Sequence, residues 1–156
     1  MVLSANIWTL GVNVYEVLVE RPLFETLTWS KDEILAEMIS TFGELPSRWW
    51  DSWENRPEIS NQDVSSEITS RSLSQRLWDM GRGGTSASCE WDVHGGELDA
   101  LEELLAAMLT LEPGRRPSAK QLLASEYMVK WALPSWEKQL SRGSVRGANK
   151  SRVRDG

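Results

Sequence analysis

The chain has 156 residues, 40% of them hydrophobic and 26% charged, with a net charge of −6, which suits one globular domain with a core and hardly two. One cysteine (Cys89) and one histidine (His94) exclude an intrachain disulfide and a Cys/His zinc site. No run reaches the ~20 apolar residues of a membrane span, and the start, MVLSANIW, has no basic n-region or cleavage pattern, so an intracellular setting, cytoplasmic or nuclear, is expected.

Residues 4–20 read as a helix. Ile7, Leu10, Val14, Val17 and Leu18 form one stripe, and Val12, Tyr15 and Val19 fill the rest, a pattern that predicts a buried helix. Gly11 in its middle costs about 1 kcal/mol against alanine, which points to a close approach by another backbone. Arg21-Pro22 ends the helix. SKDE at 30–33 predicts a capping box, with the Ser30 hydroxyl on the Glu33 amide and the Glu33 carboxylate reaching back. Ile34, Leu35, Met38, Ile39 and Phe42 continue an apolar face to Gly43, which closes that helix.

Residues 44–67 are irregular and acidic, with six acids against Arg48 and Arg56, and they hold Trp49, Trp50 and Trp53, three of the nine tryptophans. The tryptophans read as packing rather than a base-stacking platform, given their acidic neighbours. A short helix is expected around 68–80, with Leu73, Leu77 and Trp78, and then a loop from Gly81. Cys89 and His94 within that loop read as bystanders, since nothing orients a base.

Residues 97–111 carry the clearest amphipathic pattern, with Leu98, Leu101, Leu104, Leu105, Met108 and Leu109 on one face. A turn with two arginines follows, and Ser118 with Gln121 predicts a second capping box opening a helix to about Met128. From Arg142 the tail holds five basic residues against Asp155, +4, leaving −10 on residues 1–141. A disordered basic tail is expected from 141, and the acidic body disfavours nucleic acid as the partner of the folded part. No strand pattern, repeat or heptad run appears. The expected fold class is all-α.

Two stretches carry a resemblance. SANIWTLGVNVYEVLVERPLF (4–24) resembles the F helix of protein kinases, whose pattern runs Asp-x-Trp-Ser-x-Gly and ends in Gly-x-x-Pro-Phe. LLAAMLTLEPGRRPSAKQLLASEYM resembles the later H and I helices with their Asp-Pro-x-x-Arg-Pro-Ser-Ala joint. EILAEMISTFGELPSRWW is similar to the G helix and following loop of the CMGC group, and WALPSWEKQL to fungal relatives of the SR-protein kinases. The likeness covers about residues 4–140 in the correct order. It implies a partial Ser/Thr kinase C-lobe over 1–140 (helices F and G, an insert, H and I), with Asn6, Trp8, Gly11, Pro22, Phe24 and Arg116 at the family's structural positions.

The resemblance also implies ATP and Mg2+ in the family, but the glycine-rich loop, the ATP-binding lysine, His-Arg-Asp and Asp-Phe-Gly have no counterpart here. DMG at Asp79–Gly81 lies downstream of the F helix, in the wrong order, and GRGGTS lacks the last glycine of a phosphate loop. No catalytic residue, cofactor or metal ligand is therefore expected in these residues. Arg116 is implied to pair with the glutamate of Ala-Pro-Glu, which precedes the F helix in kinases, so here it is expected to lack that partner, unless it turns to solvent or finds a substitute such as Glu112 or Glu126. Asn6 stands where kinases have aspartate and reads as a helix cap.

Three readings follow. One is a non-catalytic fragment, remnant or pseudokinase-like scaffold that keeps a docking surface. The second is a portion of a genuine kinase whose N-terminal part lies outside this sequence, and the third an unrelated small all-α adaptor. Expected partners are basic Arg/Ser-rich peptides, for which Asp51, Glu54 and Glu58 are candidates, or a protein that covers the F helix. Neither membrane nor nucleic acid is expected.

Overall fold

The computed structural model describes residues 2–54, 56, 71–80 and 91–152. Every regular element among them is helical: α1 (Val2–Val19), α2 (Lys31–Phe42), α3 (Ser47–Asp51), α4 (Leu73–Met80), α5 (Glu97–Met108), a 3₁₀ turn (Pro113–Arg115), α6 (Ala119–Leu123), a π-helical turn (Met128–Ala132) and α7 (Leu133–Arg152). The all-α expectation holds.

The pairing of α1 with α5 organises the core. Trp8, Gly11, Val12, Tyr15 and Val19 recur on one face of α1. A Cβ at Gly11 would stand 3.0 Å from the Met108 Cβ and 3.2 Å from the Leu109 Cγ, so the glycine permits the close approach its position predicts. Each of the six apolar residues expected on the inner face of α5 is buried, with Leu101 and Leu105 wholly inaccessible. Full burial of such a side chain stabilises by about 1.5–3 kcal/mol. Tyr15, Val19, Leu23, Leu73, Leu77, Leu98, Leu101, Leu105 and Leu109 make one continuous cluster.

The uniform burial expected for α1 is corrected. Leu10 is 48% and Val17 77% exposed, so these two face outward, with Val14 half-buried between them, while the glycine face turns in. A helix apolar on all sides offers two faces, and the neighbour took the one from which a Cβ is missing. Asn6 is not a cap either: α1 begins at Val2, so Asn6 lies inside the helix and is exposed.

Ser30 caps α2 as expected, its Oγ accepting from the Glu33 N–H at 3.2 Å. The second half of that box is different. The Glu33 carboxylate passes Ser30 and accepts from the Thr28 N–H (2.8 Å) and Thr28 Oγ (2.9 Å), tying down the loop before the helix. Gly43 closes α2 at φ 81°, donating to the Ile39 carbonyl.

Trp53 is buried with Ile39, Leu45 and Leu111, and its Nε1 donates to Asp32 Oδ1 at 2.6 Å; Trp49 and Trp50 pack against this second cluster. The three tryptophans thus serve as packing. The helix expected over 68–80 runs Leu73–Met80, residues 68–70 lying outside the described ones, and α5 ends at Met108, three residues early, which frees Leu111 to join the tryptophan cluster. The loop from Gly81 and Cys89 also lies outside the described residues, while His94 is exposed before α5.

The Ser118–Gln121 capping box forms in full, but α6 stops at Leu123 instead of near Met128. Helix then resumes and continues to Arg152, whereas disorder was expected from residue 141. Once a helix is nucleated, each added residue contributes a hydrogen bond without a new nucleation cost, so a polar tail can follow its stem.

Candidate functional site

Trp8 and Arg116, from opposite ends of the chain, meet in one joint. The Trp8 ring stacks near Phe24 (centroids 6.4 Å) and meets Phe42 edge-on (5.8 Å), with Phe24 and Phe42 6.1 Å apart. This aromatic trio joins α1, the loop after Pro22 and the end of α2. Pro22 itself is exposed beside wholly buried Leu23.

Over the Trp8 ring lies the Arg116 guanidinium, its central carbon 4.8 Å from the ring centroid. Arg116 Nε donates to the Thr110 carbonyl at 2.8 Å and Nη2 to the Leu111 carbonyl at 3.4 Å, where the chain leaves α5. Both carbonyls lie just past the α5 C-cap Leu109, in the turn that leaves the helix, so the cation also stands near the negative end of the helix dipole. Burial lowers the Arg116 pKa from its ordinary value. The two carboxylates named as substitutes are engaged elsewhere: Glu112 with Arg48 at 3.0 Å and Glu126 with Lys130. Backbone carbonyls beside a helix end supply partial negative charge without the desolvation cost of a buried carboxylate.

A second arginine, not singled out from the sequence, is the most deeply buried cation described. Arg76 is 2% exposed. It donates to Glu37 Oε2 (2.8 Å), the Leu23 carbonyl (3.0 Å) and the Arg71 carbonyl (2.8 Å), binding α4 to α2 and to the loop after α1. The available signal was a cation on an apolar stripe, since Leu73, Arg76 and Leu77 share one helix face. Burial raises the Tyr15 pKa, and Arg76 opposes that shift.

The outward stripe of α1 lines an apolar groove of about 690 Å³. Leu10, Val14, Val17 and Leu18 form one wall; Leu104 and Met108 of α5, Leu122 and Leu123 of α6, then Tyr127, Met128 and Ala132 form the others. Asn13 and Tyr127 are the polar residues of this lining, and burial, then the nearby Glu97 charge, raise the Tyr127 pKa. Such a surface excludes water and offers few hydrogen bonds. It suits a hydrocarbon face, not a phosphate.

A second cleft of about 610 Å³ lies between the end of α2, α4 and α5, and Glu44, Glu102, Glu112 and Arg115 stand among its lining residues. Of the candidate docking acids, Asp51 and Glu54 do not line it. Asp51, at the end of α3, stands 3.8 Å from Arg56, Glu54 is exposed after it, and Glu58 lies outside the described residues. Among the described residues no group of three or more His, Cys, Asp or Glu side chains is placed to hold a metal ion, and no helix is long and apolar enough to cross a membrane. Compared with known proteins, the chain matches no family model, and a search of the curated proteins finds no match.

Proposed function

We propose that residues 1–140 form the lower part of a protein-kinase-type C-lobe, from the F helix onward, and act as a non-catalytic docking unit. The observation that carries this reading is the Trp8–Arg116 contact, which joins the two stretches on which the resemblance rests. The close approach at Gly11 supports it, since the glycine belongs to the same F-helix pattern. The hydrocarbon groove supports docking of an amphipathic helix. The test is phosphate transfer from Mg-ATP to an Arg-Ser repeat peptide. Background incorporation is expected, and transfer above a vector control overturns the proposal.

The exposed α1 stripe favours a second reading, in which the chain is a portion of a complete Ser/Thr kinase and preceding helices cover Leu10, Val14 and Val17. In-frame His-Arg-Asp and Ala-Pro-Glu motifs in the genomic DNA upstream of Met1 would establish it.

A further inference from the structure

We propose that the apolar groove is filled by helix α7 of a second copy of this chain, two copies exchanging their C-terminal helices reciprocally. The inference rests on the docking reading above and names the occupant. Leu133, Trp136 and Leu140 are 38%, 58% and 53% exposed and stand at i, i+3 and i+7 within α7. That is the spacing with which an amphipathic helix seats its anchors in a groove. The complementary wall is exposed too, with Leu10, Val17 and Leu123 at 48%, 77% and 56%.

The same chain's stripe does not face its own groove. Met128 and Ala132 line that groove, so the next residues round the helix, Val129 and Leu133, look elsewhere. Charge selects the partner. Residues 142–156 carry +4 while residues 1–141 carry −10. The cleft adjoining the groove along Leu104 and Leu122 holds Glu103, beside Glu126 in its pair with Lys130, so the acid of this body lies next to the groove. The net charge of −6 also disfavours an anionic lipid surface for the whole chain. Reciprocal exchange is closed: each copy gives one stripe and receives one, and the pair does not grow into a filament.

The test is sedimentation velocity of the full chain with two surface variants, Trp136→Glu in the helix and Val17→Glu in the groove. The wild type should be dimeric, each variant monomeric, and an equimolar mixture of the two should regain dimer, because one intact helix then meets one intact groove. A dimer that survives either substitution overturns the proposal, as does a folded wild-type monomer. If that monomer binds an anilinonaphthalene dye in a Val17-dependent way, the docking reading survives and only the exchange fails; if it binds none, both fail. Co-sedimentation of a wild-type monomer with phosphatidylserine vesicles through Trp136 names a lipid surface instead, and likewise overturns the exchange.

Discussion

The Arg116 guanidinium lies 4.8 Å above the centre of the Trp8 ring while its Nε donates to the Thr110 carbonyl at 2.8 Å, so one side chain both holds the turn that follows α5 and lies against α1. Truncation removes a cation–π contact and charge-assisted hydrogen bonds. Arg116→Ala should therefore cost about 1–3 kcal/mol in urea unfolding. A double-mutant cycle with Trp8→Leu should give a coupling of about 0.5–1 kcal/mol. Additive losses would show that the stacking contributes nothing and that the carbonyl bonds carry the effect.

Gly11→Ala makes the opposite case to the usual helix substitution. In an exposed helix the change would stabilise by about 1 kcal/mol. Here the added methyl meets the Met108 Cβ, which is fixed to its backbone and cannot swing aside. A net loss of about 1–3 kcal/mol is expected from overpacking, seen as a lower midpoint at unchanged denaturant slope. A gain in stability would mean that α1 and α5 separate easily.

How much of this was legible in the sequence depended on whether a pattern was directional. The inner face of α5 was, because its apolar residues occupy one side only, and all six are buried. The faces of α1 were not told apart by hydrophobicity, and Gly11 alone marked the side that meets a neighbour. Two adjacent arginines in a turn mark Arg116 as a cation in want of a partner, yet its contacts include backbone carbonyls and an indole ring, which a search for carboxylates does not reach. Of the candidate site, the outward stripe was visible residue by residue. The groove was not, since it also needs Leu122 and Leu123 of α6 and the turn at Tyr127–Met128.

The Arg76–Glu37 pair should be the most sensitive polar contact. Removing the cation by Arg76→Ala leaves Glu37 and two carbonyls without it, and a loss of about 3–5 kcal/mol is expected. Glu37→Ala should cost less, because Arg76 keeps the Leu23 and Arg71 carbonyls and the Glu37 side chain is already 25% exposed. Equal losses from the two substitutions would contradict this ordering.

Acid should release the loop before α2. The two Thr28 hydrogen bonds, backbone first, lower the Glu33 pKa below its ordinary value. A carboxylate with a depressed folded-state pKa contributes stability above its unfolded value, and that contribution fades as the pH falls through the folded one. Glu33→Gln should therefore lower the melting temperature at neutral pH and leave it unchanged in strong acid. The Thr28 amide resonance should titrate with Glu33 in the same acidic range. A Thr28 amide that ignores pH there would rule the clamp out.

The π-helical turn has a consequence of phase. The Leu133 N–H reaches five residues back to the Met128 carbonyl, so this turn holds one residue more than an α-helical turn. Each residue of an α-helix turns its successors by about 100°. Deleting one residue within Met128–Ala132 would restore the ordinary winding and swing everything beyond it, Trp136 included, by about that angle without altering a single side chain of α7. The bulge is thus the dial that sets which way the C-terminal helix faces, and the residue count between Tyr127 and Leu133 matters there as much as residue type.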